Sequence, residues 1–137
     1  MSRSARIRTY RAPAAARRST TKASRPRRAS FALTPGPEHL NPLGVVHGGI
    51  LSTLLDSAMG CAVHTTLAAG ETYTTLELDV KFVRPVRAGQ GLVTAEATVI
   101  HAGRQTATAE GRVLDADGRL YAHATTTCLI ARRRIES

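Results

Sequence analysis

The sequence predicts an α+β fold in which one long helix packs against an antiparallel sheet of about five strands. Three observations carry this reading. Ile50, Leu51, Leu54, Leu55, Ala58, Met59, Ala62 and Val63 recur in pairs every four residues, the signature of a helix buried along a broad stripe. Leu76, Leu78, Val80 and Phe82 alternate with Thr75, Glu77, Asp79 and Lys81, the period of two that marks a half-buried strand. Beyond that strand, Gly- and Asx-rich turns separate three further extended stretches.

The helix is expected to begin at or near Gly48, directly after His47. No lysine, arginine or glutamate occurs from Gly48 to Ala69, whereas a solvent-facing helix normally carries several charges. The helix is therefore wrapped on most sides, and its one acid, Asp56, is either interfacial or functional. The alternating strand runs from about Tyr73 to Arg84 and is closed by the turn Gly89-Gln90-Gly91. Leu92 to Ile100, Gln105 to Leu114 and Leu120 to Ile130 follow, divided by His101-Ala102-Gly103-Arg104 and Asp115-Ala116-Asp117-Gly118. Thr125, Thr126 and Thr127 favour the last strand. Short connections predict that these four strands form a meander in sequence order.

A chain of 137 residues suits a single core. Charge divides it in two. Residues 1–30 hold ten of the 19 basic residues and no acid, while residues 31–137 balance nine basic against ten acidic residues. The pI of about 11.0 therefore describes the tail and not the domain. The expectation is a disordered basic tail over 1–30 and a folded domain over 31–137. The tail admits four readings: a nucleic-acid arm, an organelle transit peptide, a polybasic surface anchor or an adventitious extension. It lacks the apolar spacing of a helix-turn-helix, so nucleic acid is not the expected partner. No apolar run approaches the ~18 residues of a membrane span. Cys61 and Cys128 fit no metal-ligand spacing, no His-Glu-x-x-His is present, and nothing demands an oxidising compartment. The expectation is a cytoplasmic protein with no metal and no cofactor.

The candidate site lies where the loop enters the helix. The first turn of a helix presents backbone N–H groups without intrahelical partners at the positive end of its dipole, which suits an oxygen becoming negative. Gly48 and Gly49 would let a substrate carbonyl approach closely, or would only make a tight turn. From Gly48 to Asp56 is about 12 Å at ~1.5 Å per residue, too far for one small group to touch both. If both serve one site, a second copy of the helix must supply one of them across a two-fold axis.

The string N-x-x-G-x-x-H-G-G-x-x-x-x-L-x-D, Asn41 to Asp56, resembles the active-site signature of the PaaI-like hotdog-fold acyl-CoA thioesterases. The similarity runs on through Ser57-Ala58-Met59-Gly60, Tyr73 to Leu78 and Phe82-Val83-Arg84-Pro85, and covers about residues 31 to 130. It implies a first strand around Phe31 to Thr34, which completes the hotdog arrangement. It also implies that the Gly48 N–H polarises a thioester carbonyl, with Asn41 joining it or fixing the loop. Asp56 of the facing subunit is then a general base for water or a nucleophile forming an anhydride, and Thr75 orients that water. His47 is read as hydrogen-bonding the loop to lock the glycines, or as a base. The resemblance implies a homodimer with shared sites, or a tetramer of such dimers. The basic tail stands where such relatives carry a helix and the opening of the first strand.

For the substrate, Arg84 and Arg104 are candidates for the phosphates of coenzyme A, and Gly49 for the approach to the helix. Met59, with Gly60 and Val63, is the expected lining of an acyl pocket that takes aryl or medium-chain groups. The competing readings are a hotdog hydratase or dehydratase, disfavoured by the missing second acid or histidine on the helix, and a non-catalytic acyl-CoA sensor.

Overall fold

The computed structural model of this chain describes residues 8–10 and 26–132. Its helix α1 spans Gly48–His64. The strands are β1 (Arg8–Tyr10), β2 (Arg28–Leu33), β3 (Glu71–Phe82), β4 (Val93–Ala102), β5 (Thr106–Asp115) and β6 (Leu120–Arg132). They form one sheet in the order β1-β2-β4-β5-β6-β3, every neighbouring pair antiparallel. The α+β architecture and the helix start agree with the sequence reading.

The meander holds only for β4, β5 and β6. β3 does not sit beside β4; β2 takes that edge, with Phe31 opposite Ala95, and β3 pairs with β6 at the far side. The link between β3 and β4 makes this possible. Crossing three strand spacings requires about 14 Å, and ten residues of extended chain can span roughly 30 Å. The crossover is pinned as it passes: Val86 is buried, and its carbonyl accepts the Val46 N–H at 2.8 Å. It thereby ties the β3–β4 link to the loop that leads into α1.

The first strand begins at Arg28, three residues before the expected Phe31, and Ala29 already packs against the core. Arg8–Tyr10 pairs with β2 as a further short strand. Two pieces of the expected tail, 8–10 and 28–30, thus belong to the sheet; residues 26–27 lead into β2, and residues 1–7 and 11–25 lie outside the described residues.

The helix lies against a sheet face built from small residues. Ala95, Ala97, Ala107, Ala109, Ala122 and Ala124 are all buried there. Small side chains allow the helix to come close, and Gly111 marks the tightest approach: a Cβ on it would stand 3.0 Å from Leu55 Cδ2 and 3.2 Å from Met59 Cγ. α1 ends where the Thr65 N–H caps Cys61 and the Thr65 hydroxyl bonds the Ala62 carbonyl.

β3 departs from strict alternation in a way that shapes the site. Thr75 pairs with Cys128 but Glu77 pairs with Thr127, so Leu76 is an extra residue bulged out of the ladder. Because side chains alternate faces, one inserted residue reverses the phase of the strand. Tyr73 and Thr75 before the bulge, and Val80 and Phe82 after it, consequently all face α1.

Candidate active site

The face that α1 turns to β3 is a stripe of residues four apart: Gly48, Ser52, Asp56, Gly60 and His64. β3 runs back along it. The Phe82 ring lies over Gly48, the Thr75 hydroxyl donates to Asp56 Oδ1 at 3.0 Å, and the Tyr73 ring lies over Gly60 and meets His64 edge-on at 6.0 Å. This is why the helix is short of charge: its small and polar residues are matched to one strand while the opposite stripe fills the core.

The loop before α1 is held by an interlocked set of bonds. Asn41 Oδ1 accepts the N–H groups of Leu43 (3.0 Å) and Val45 (3.2 Å), while the Asn41 N–H donates to the Val45 carbonyl at 2.7 Å. Gly44 at the tip has φ +81°, a conformation that favours glycine. Of the two roles expected for Asn41, its side-chain oxygen performs the loop-fixing one.

His47 sits at the N-cap of α1, but its imidazole is exposed and makes no capping bond. The expectation that this side chain locks the glycines is corrected, for the backbone does so. The His47 N–H donates to the His39 carbonyl at 2.8 Å, and the His47 carbonyl accepts the N–H groups of Ile50 and Leu51. His39 Nδ1 in turn accepts the Gly36 N–H at 2.9 Å.

With Ile50 and Leu51 bonded to the cap, the N–H groups of Gly48 and Gly49 have no backbone acceptor among the described residues. Gly48 opens on a groove of about 340 Å³, whose walls include Asn41, Val45, Phe82, Arg84 and Pro85. A Cβ on Gly49 would meet nothing within 4 Å. The helix terminus is thus an open donor pair beside a cavity, the arrangement that stabilises a developing oxyanion.

The two arginines lie in different surroundings. The Arg84 guanidinium stands 5.6 Å from the Tyr121 ring centroid, at the Gly48 groove. Arg104 borders a separate depression of about 390 Å³ with Gln105, Ile130 and Arg132. Ile130 pairs with Tyr73, so Arg104 belongs to the Asp56 end of the protomer and Arg84 to the Gly48 end.

Met59, expected to line an acyl pocket, is fully buried and packs on Gly111, as part of the core beneath the sheet. Val63 is likewise fully buried. Burial pushes the thiols of Cys61 and Cys128 up, against nucleophilic use. Among the described residues no cluster of His, Cys, Asp and Glu fits a metal, and no helix is long and apolar enough to cross a membrane. Phe82 and Tyr73 are the site neighbours that sequence reasoning missed. The string through Phe82 marked the strand, but the bulge that turns Phe82 toward Gly48 leaves no period of its own.

Residues 43–122 match the thioesterase superfamily. A protein of Bacillus halodurans solved with CoA superposes with a TM-score of 0.69 at 36% identity, over 74% of this chain and 66% of that one. A phenylacetic acid degradation-related protein of Ralstonia eutropha JMP134, described as a thioesterase, gives 0.70 at 30% identity, over 91% and 83% of the two chains. The 1,4-dihydroxy-2-naphthoyl-CoA hydrolase of Listeria monocytogenes is 28% identical over 93 residues, 68% of this chain and 74% of that one. Against the first curated relatives, which are named as esterases, the chain spans about half of their length. With the helix-end donor pair, the paired acid and the sheet order all in place, the chain belongs to the thioesterase superfamily and has its hotdog fold.

Proposed function

We propose that this protein hydrolyses acyl-CoA thioesters, with aryl or medium-chain acyl groups, to the free acid and CoA in a homodimer with two shared sites. One observation carries the reading. On a single helix Gly48, whose N–H has no backbone acceptor among the described residues, lines a groove, while Asp56, held by Thr75, lies about 12 Å further along at ~1.5 Å per residue. Neither end is a complete site, and a second protomer turned about a two-fold axis brings the ends together.

The edge strand supports such pairing. β3 ends the sheet, and Leu76 and Phe82 are 59% and 52% exposed. A long edge with exposed apolar residues is a template for another strand. Two copies of β3 joined antiparallel set their α1 helices side by side in opposite directions.

In the shared site the Gly48 N–H donates to the thioester carbonyl oxygen. Asp56 of the facing protomer takes a proton from water as the water oxygen bonds the carbonyl carbon, or itself attacks that carbon, in which case loss of the thiolate leaves an anhydride that water hydrolyses to the free acid and the restored carboxylate. The C–S bond then breaks, the electron pair leaves on sulfur, and CoA departs as a thiol after taking up a proton. Thr75 fixes the carboxylate by its hydrogen bond. Arg84 from one side and Arg104 from the other supply cations for the phosphates of CoA. The CoA bound to the Bacillus relative and the acyl-CoA chemistry of the Listeria relative favour the same substrate class.

The test is free-thiol release from aryl and aliphatic acyl-CoA thioesters by the full chain and a folded Asp56→Ala variant. Turnover that falls by about 10²-fold or more without the carboxylate is the expected result. Binding of acyl-CoA by the folded wild type without any turnover would replace hydrolysis with sensing.

A further inference from the structure

Tyr73 has no role in the chemistry just described, yet its placement is tightly determined. It precedes Thr75 by two residues on the same face of β3, so the two side chains stand about 7 Å apart along the strand. Thr75 reaches Asp56, and Tyr73 reaches one helical turn further on. The Tyr73 hydroxyl oxygen lies 2.6 Å from where a Cβ on Gly60 would stand. Glycine in a helix interior is disfavoured relative to alanine, and here it leaves the room that the phenol fills. His64 holds the ring from the next turn, edge-on at 6.0 Å and 73°.

The hydroxyl that this packing presents is uncommitted. The other tyrosine near the site, Tyr121, donates to Asp115 Oδ2 at 2.9 Å. Tyr73 has no such partner among the described residues, and no fully buried side-chain polar atom among them lacks one, so its hydroxyl is open to solvent or ligand. Burial, and then the nearby Cys61, Cys128 and Asp56, push its pKa up, which keeps it a neutral O–H donor at physiological pH.

We propose that the Tyr73 hydroxyl is a specificity element of the acyl pocket. It hydrogen-bonds an oxygen substituent on the acyl group, beyond the carbonyl that is attacked beside Asp56, and so selects oxygenated aroyl thioesters over unsubstituted ones. The inference rests on the hydrolase reading above. The physical reason for selection is that a donor ordered for a substrate oxygen loses its partner when the substrate lacks one.

The experiment compares kcat/KM for 4-hydroxybenzoyl-CoA and benzoyl-CoA in the wild-type chain, Tyr73→Phe, Gly60→Ala and the double variant. Tyr73→Phe is expected to lower the hydroxylated-to-plain ratio about tenfold, the scale of one hydrogen bond. Removing a hydroxyl with no protein partner leaves no protein group unsatisfied, and thermal melting verifies the fold. Gly60→Ala, which must push the hydroxyl aside, lowers the same ratio, and the double variant falls no further than Tyr73→Phe alone. A ratio unmoved by Tyr73→Phe, with both rates shifted together, overturns the inference while the hydrolase reading stands. A folded wild type that cleaves neither thioester overturns both.

Discussion

Phe82 Cζ lies 3.0 Å from the point where a Cβ on Gly48 would be, so the residue that opens the helix and the one that closes β3 are fitted to one another. Glycine at this position therefore serves close packing as well as access to its amide. Gly48→Ala keeps the N–H but forces the ring to move into the groove that both residues line. We expect kcat/KM for acyl-CoA to fall about tenfold, by analogy with the 1–3 kcal/mol of overpacking. Phe82→Leu in the same chain should recover part of the loss. At Gly49, where the space is open, alanine should raise stability by up to about 1 kcal/mol through helix propensity, as read by thermal unfolding.

Met59 gives the opposite kind of variant. Its side chain fills the contact between α1 and Gly111, with no surface left to touch a ligand. Met59→Ala should cost about 2–5 kcal/mol in urea denaturation. An unchanged denaturation midpoint together with an altered acyl-chain preference would return Met59 to the pocket.

The Asp115 carboxylate is held below the usual carboxylate range, first by the Arg119 N–H and also by the Tyr121 hydroxyl and the Asp117 N–H. A depressed folded-state pKa means that the stabilisation is present above the unfolded pKa and is lost as pH falls through the folded value. The bonds close the turn between β5 and β6 and hold the tyrosine that Arg84 lies over. Asp115→Asn should therefore melt lower than wild type near neutral pH, and the difference should shrink below the normal carboxylate range. A difference that stays constant down to strongly acid pH would contradict this assignment.

The parts of the fold that repeat were legible in the sequence, and the parts set by single long-range pairings were not. The four-residue period of α1 and the turns at Gly89, Gly103 and Gly118 are local signals, and each marks an element where it stands. The place of β3 at the far edge depends on β2 occupying β4, a contact between distant segments that no local period records. The bulge at Leu76 is silent for the same reason, since Leu76 fits the alternation it interrupts. For the candidate site, the resemblance named Asn41, Gly48, Asp56 and Thr75, yet how the loop is held had to be read from hydrogen bonds. The His47 backbone, and not its ring, meets His39. Tyr73 became visible only through the glycine opposite it.

The central claim, that Gly48 and Asp56 of different protomers make one site, is tested most directly by mixing two inactive chains. Gly48→Pro removes the amide donor at a helix position that tolerates proline, and Asp56→Ala removes the carboxylate. Circular dichroism confirms that each variant is folded, and the two are then unfolded together and refolded. A shared site predicts that heterodimers regain one intact site out of two, so that an equimolar mixture recovers about a quarter of wild-type thiol release by random pairing across the two-fold axis. Folded heterodimers with no activity above the separate variants would contradict it and confine the chemistry to a single chain.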